Sequence, residues 1–163
     1  EEKMAQLGVF GEIYTQVYKL DSCENWKQDY DEKLGSRRSR YMNYRSMADH
    51  GVILSGATDL PMLIPDIPEA IYYGCGTYAA DGKEPVQPEN GLTIPEMLKT
   101  WTIGSQYAME QEHILGTLES GKQADIVGFD RNLLKTDIEE IRKAHVLRTI
   151  CAGQDVYKEM ENR

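Results

Sequence analysis

Residues 51–62, GVILSGATDLPM, constrain the architecture more than any other stretch of this chain. Gly51 follows a long charged segment and reads as its helix C-cap. Val52, Ile53 and Leu54 open an apolar run too short for a helix, so 52–55 reads as a strand. Ser55, Gly56, Ala57 and Thr58 loosen the chain, and one carboxylate, Asp59, stands before Leu60 and Pro61. Upstream, residues 7–20 (LGVFGEIYTQVYKL) are rich in Val, Ile, Tyr and Phe and read as another strand and its exit. The polar stretch 25–51 between them carries Tyr41, Tyr44 and Met47 at helical intervals and reads as a helix.

Two strand–helix units followed by a strand-rich tail predict an α/β fold. In a (β/α)8 barrel the chemistry sits at the C-terminal ends of the strands, which would put Asp59 at such a mouth. The other reading is that Asp59 caps a turn through its own backbone. Spacing alone leaves both open.

The remaining elements follow from local signals. Residues 60–91 form a long loop with five of the six prolines and a short helix over 68–74. A helix is expected over 93–110, with Thr93 and Glu96 as a capping box and Pro95 in its first turn. Residues 116–130 read as strand, turn and strand. A short helix over 136–144 has Thr136 and Glu139 as its box, and 145–158 reads as a hairpin turning near Gly153.

Composition narrows the function classes. The 163 residues fit one domain by length, and 40% hydrophobic content is enough for a core. A net charge of −9 argues against sequence-independent binding to nucleic acid or to an anionic membrane. No run approaches the length of a membrane-spanning helix, and no signal-peptide pattern opens the chain. Cys23, Cys75 and Cys151 are odd in number and widely spaced, which reads as free thiols in a reducing compartment, the cytoplasm. The opening EEKMAQLGVF has no initiator Met and enters directly into structure, as an interior piece of a longer protein would.

Several motifs in order resemble the end of a barrel in the metal-dependent amidohydrolase superfamily, in the branch that includes N-substituted formamide deformylases. They are Leu34-Gly35 with Arg38, Arg45-Ser46, Gly51, the short apolar strand, and Asp59-Leu60-Pro61. Farther on, PENGLTIPEMLKTWTIGSQYA resembles the helix after the barrel, GTLESGKQADIVGFD the Gly-x-Leu-x-x-Gly-Lys-x-Ala-Asp-Ile-Val strand pair, and VLRTICAGQDVY the closing hairpin. The resemblance runs from about Leu7 to Tyr157. Its one local departure is Thr58 where the family usually has Ser, and both offer a hydroxyl.

The resemblance implies a C-terminal fragment of a (β/α)8 TIM barrel over 1–110, and part of a small β-sandwich domain over 111–163. It implies a metal-dependent hydrolase acting on C–N bonds other than peptide bonds. Asp59 would be both a metal ligand, most often to zinc, and the catalytic carboxylate that takes a proton from water and passes it to the leaving amine. The superfamily's His-x-His pair and later histidines have no counterpart in this chain. His50, His113 and His145 are separated and read as structural or surface groups. This chain alone is therefore expected to be inactive and to hold no tightly bound metal. Its expected partners are a small-molecule substrate, the remainder of its own barrel and, through open strand edges, a second copy of itself.

Other residues carry weaker readings. Tyr14 and Gln16 are weighed as pocket-lining against being strand and exit loop. Tyr72, Tyr73, Cys75 and Tyr78 are weighed as a cover over the pocket against packing of their own loop. Arg38 reads as a helix-to-loop fastener, and Lys122 and Asp125 as structural. No substrate-binding residue is assigned. The competing function is a non-catalytic binding or scaffold domain that keeps the fold.

Overall fold

Two short strands, β1 (Gly11–Ile13) and β2 (Leu54–Gly56), lie side by side and parallel, with Gly11 opposite Leu54, Glu12 opposite Ser55 and Ile13 opposite Gly56. The computed structural model describes residues 1–63 and 65–160. Ile64, inside the predicted 60–91 loop, and residues 161–163, at the end of the predicted second unit, lie outside the described residues. A parallel pair needs a crossover connection, and helical segments supply it in this fold. Before β1 comes α1 (Glu2–Gln6); after it come a 3₁₀ segment (Thr15–Leu20), α2 (Cys23–Leu34), a second 3₁₀ segment (Gly35–Arg40) and α3 (Tyr44–Asp49).

The single helix expected over 25–51 is thus three pieces. Ser22 caps α2 by accepting from the Asn25 N–H at 3.2 Å. Gly35 stops it by taking φ +54°, a conformation that costs glycine little. Met42 at φ +49° makes a second break before α3. Gly51, at φ +77°, ends α3 as its sequence position suggests.

Helix α4 (Ile67–Gly76) occupies the centre of the core. Asp66 caps it by accepting from the Glu69 N–H at 2.9 Å. Ala70, Ile71, Tyr72 and Tyr73 are all buried, so the helix is covered on every side, as expected of a helix apolar all round. It packs against the Thr15–Leu20 segment, α5 (Ile94–Lys99) and α7 (Ile138–Ile141). The expected capping box of α5 is present with both of its bonds.

The helix expected over 93–110 is interrupted. A π-helical turn, Thr100–Gly104, separates α5 from α6 (Ser105–Ala108), and Thr102 has non-helical φ −124° and ψ −105°. Side-chain hydroxyls supply bonds there: Thr102 Oγ1 donates to Leu98 O at 2.7 Å and Ser105 Oγ to Thr100 O at 2.7 Å. Such local bonds compete with the regular ladder.

The tail is a three-stranded antiparallel sheet, β3 (Ile126–Phe129), β4 (Val146–Cys151) and β5 (Gln154–Lys158), in the order β3-β4-β5. The hairpin turns at Ala152-Gly153, where the sequence placed it. The strand expected at the start of 116–130 does not form. The N-cap position of α7 is Asp137, and the Thr136 hydroxyl instead donates to Asn132 O at 2.8 Å. Among the described residues the fold is mixed α/β with two small sheets and no closed barrel, and no helix is long and apolar enough to cross a membrane.

Candidate active site

Parallel pairing brings the C-terminal ends of β1 and β2 to the same edge of the sheet. The Ala57 N–H donates to the Ile13 carbonyl at 2.9 Å, which joins the two strands just before they diverge. Tyr14 leaves β1 there, and Thr58 and Asp59 leave β2. Thr58 is buried while Asp59 is exposed, so the chain turns outward at the carboxylate. Asp59 itself has φ +56°, a left-handed conformation uncommon for any residue but glycine. Its carbonyl accepts from the Met62 N–H at 2.9 Å, closing a turn across the cis Leu60–Pro61 bond.

Asp59 lines a shallow cavity of about 320 Å³. Tyr14 and Val17 contribute from the exit of β1, Tyr41, Met42 and Tyr44 from the N-terminal approach to α3, and Met62 from the turn after Asp59. Among the described residues, no hydrogen bond or ion pair engages the Asp59 carboxylate. The Tyr14 hydroxyl donates to Glu12 Oε1. That bond, partial burial and the charges of Glu12 and Asp59 hold the Tyr14 phenol above the usual tyrosine range. Tyr44 is hydrogen-bonded to the backbone of Tyr14, and burial pushes its phenol up to about 12. Both phenols are therefore neutral donors at physiological pH.

The other weighed residues divide. Tyr14 joins Asp59 at the cavity. Gln16 is buried and donates from Nε2 to Glu69 Oε2 at 2.6 Å, away from it. Tyr72 and Tyr73 belong to the core. Tyr72 stacks on Tyr78 at 5.2 Å, with the Arg142 guanidinium 4.8 Å above the Tyr72 ring. Burial pushes the Cys75 thiol up to about 12. These four hold their own segment together. Arg38 fastens as expected, from Nη1 to Asp31 at 3.2 Å, while its carbonyl accepts from Gln87 Nε2 at 2.9 Å. Asp125 accepts from the Ala152 N–H at 2.7 Å and secures the β4–β5 turn.

Sequence reasoning misses Glu12, Tyr41, Met42 and Tyr44. Tyr41 and Tyr44 fall on the continuous helix face expected over 25–51. The Gly35 helix stop, followed by the polar run Ser-Arg-Arg-Ser, is the signal that the segment breaks and that its far end is free to line a site.

The three histidines lie apart. His50 Nδ1 is 2.7 Å from Ser46 O, His113 sits 3.2 Å from Glu112, and His145 lies between Asp130 and Glu159. Among the described residues, no three His, Cys, Asp or Glu side chains group closely enough to hold a metal ion. The residues present therefore fit a metal only in part: Asp59 is one available anionic oxygen donor where three or four are needed.

The chain is 28% identical to an N-substituted formamide deformylase of Arthrobacter pascens, over 93% of this chain and 27% of the relative. Its fold resembles an amidohydrolase from Thermotoga maritima (TM-score 0.63, 17% identity, 97% of this chain and 34% of that one). It also resembles an uncharacterised metal-dependent hydrolase from Pyrococcus furiosus (TM-score 0.59, 22% identity, 76% and 24%). The chain thus spans about a quarter to a third of the length of these proteins. A model of the amidohydrolase family matches residues 2–157, and the chain belongs to that family.

Proposed function

We propose that residues 1–110 are the last strand–helix units of an amidohydrolase barrel, that 111–163 are part of its small β-domain, and that Asp59 is its catalytic carboxylate and one ligand of a divalent metal, zinc by the resemblance. The whole protein would hydrolyse the C–N bond of a small amide that is not a peptide bond. The observation that carries this reading is the position of Asp59. It stands just past a strand end, in an uncommon backbone conformation, with an unengaged carboxylate on a cavity shared with the end of the neighbouring parallel strand.

Were Asp59 completed by donors outside the described residues, a divalent metal held there would supply Lewis acidity to the attacking water and to the carbonyl. The rest of the donor set would come from outside the described residues, so the chemistry this chain supplies is that of Asp59. Its carboxylate accepts a proton as water adds to the carbonyl carbon, then returns that proton to the departing amine nitrogen. An aspartate suits both steps because it is short, anionic and able to cycle one proton. Tyr14, anchored by Glu12 and Tyr44, keeps the adjoining wall in place while this occurs.

The test is Asp59→Asn in the intact protein that carries these residues. Turnover of a small formamide should fall by roughly 10²–10⁴-fold, the usual reach of general acid–base catalysis, with an unchanged thermal melt. Near-normal turnover by a folded variant would sink the proposal.

A further inference from the structure

Every residue of the three-residue strand β2 is met by one short segment from beyond the long loop. Trp101 lies against Gly56, Ser105 against Ser55, and Gly104 against Leu54. The Ser55 hydroxyl donates to Ser105 Oγ at 3.3 Å, and Ser105 donates in turn to Thr100 O at 2.7 Å. A Cβ on Gly56 would stand 2.7 Å from Trp101 Cε2 and 2.9 Å from Cδ2, closer than two carbons pack. Gly56 is not among the glycines with positive φ. Its missing side chain therefore serves the close approach of the indole and not a turn of the backbone.

The segment is the π-helical turn Thr100–Gly104 together with Ser105. Single π turns within helices are frequent at functional sites. The indole N–H of Trp101 is buried and has no hydrogen-bond partner among the described residues, although a buried tryptophan usually finds one. The ring is therefore placed by its fit against Gly56 and the core. Just beyond Gly56, the Ala57 N–H is tied to the Ile13 carbonyl at 2.9 Å, and Thr58 is buried. The end of β2 thus has a ring against one face and a hydrogen bond along one edge, and Asp59 follows Thr58 directly.

We propose that Trp101 is a positioning residue: its indole, held by the π-helical turn against Gly56, fixes the end of β2 and through it the direction of the Asp59 carboxylate. This rests on the assignment of Asp59 to proton transfer and adds to it the residue that aims the carboxylate. Misplacing a catalytic group by about 1 Å can cost about 10²-fold in rate, so a ring seated this close to Asp59 bears on turnover as well as on packing.

The test compares Trp101→Ala, Trp101→Phe, Asp59→Asn and the double variant in the intact protein. Two readouts are taken: kcat and KM for N-methylformamide, and hydrogen–deuterium exchange of residues 52–63. Trp101→Ala should lower kcat at least about 10-fold and leave KM within about 3-fold. Its exchange over 52–63 should speed up while the β3–β5 sheet keeps its rates. Trp101→Phe keeps a flat ring and should restore kcat to within about 3-fold of the unaltered protein. With Asn at position 59, Trp101→Ala should cost less than about 3-fold more, because a residue acting through the carboxylate then has nothing to aim. Trp101→Leu replaces Trp101→Ala if the latter does not melt cooperatively. An unchanged kcat in a folded variant, or the same loss with and without Asp59, would overturn the positioning role. The exchange readout is independent of turnover and separates the two readings. Faster exchange over 52–63, with near-normal turnover by Asp59→Asn, upholds the hold on β2 and refutes the hydrolase assignment of Asp59. Unchanged exchange, with turnover lost in Asp59→Asn, refutes Trp101 alone.

Discussion

Arg45 and Glu96 form a two-pronged pair, Nη1 to Oε2 and Nη2 to Oε1, each at 2.7 Å. Arg45 lies in α3, which leads into β2, and Glu96 in α5, beyond the long loop that follows β2. The pair closes the chain around the strand that presents Asp59. Glu96 is also the second half of the α5 capping box, so the same carboxylate accepts from the Thr93 N–H at 2.8 Å.

This predicts an acid-sensitive clasp. The hydrogen bonds from Arg45 hold the Glu96 carboxyl at about 2, below the usual glutamate value of 4.5. A folded-state pKa below the unfolded one contributes stability that is present above about pH 4.5 and lost as pH falls toward 2. Both side chains keep about a quarter to a third of their surface in solvent, 27% and 32%, so the contribution is reduced by screening to about 1–2 kcal/mol. Thermal melts of the intact protein between pH 6 and 3, with and without Glu96→Gln, are the measurement. The variant should be less stable at pH 6 and show a flatter decline; parallel curves would contradict the assignment.

Gly104 should tolerate no side chain. A Cβ there would overlap the Leu54 carbonyl oxygen, a backbone atom within β2 that cannot rotate away. Gly104→Ala is expected to cost about 2–4 kcal/mol, in the range of overpacked cores, and to disturb the strand that carries Asp59. Urea unfolding midpoints report the loss. Gly153→Ala makes the comparison, since open space surrounds its Cβ and only its φ of +79° opposes the change.

Residues 1–163 on their own should hold no stoichiometric metal. Among the described residues no three His, Cys, Asp or Glu side chains group closely enough to hold a metal ion, and a stable zinc site needs three or four. Elemental analysis after dialysis without chelator should find well under one equivalent. One tightly bound zinc per chain would show that a donor set exists elsewhere.

The same polypeptide in isolation is expected to self-associate. Leu7, Val9, Phe10 and Ile53 flank the β1–β2 pair at 38–68% exposure, and Val127, Leu147, Val156 and Tyr157 lie exposed on the antiparallel sheet. Unpaired edges with apolar neighbours recruit further strands. Sedimentation velocity over a concentration series should show oligomers or aggregates despite the net charge of −9. A monodisperse monomer with one sharp melt would refute the expectation.

Local signals acted where a few neighbouring residues suffice. Thr93 and Glu96 cap α5 because their side chains reach backbone groups within one turn. Gly153 turns the hairpin because its conformation needs no outside support. The apolar run that begins at Val52 becomes β2, displaced to Leu54–Gly56, and the ordered motifs from Leu34 to Tyr157 carried the family. Tertiary structure decided what depends on distant partners. Gly35 breaks the 25–51 segment locally, but where its far end came to lie depended on Tyr41 finding Tyr30, Gln87 and Asn90. How closely the interrupted 93–110 segment could approach β2 depended on Gly104, which lies against the Leu54 carbonyl. The sequence placed a carboxylate after a strand. Only the parallel pairing of β1 with β2, across more than forty residues of intervening chain, brought Tyr14 to its side, because a strand's neighbour is set by packing of the helices that cross between them and not by the strand itself.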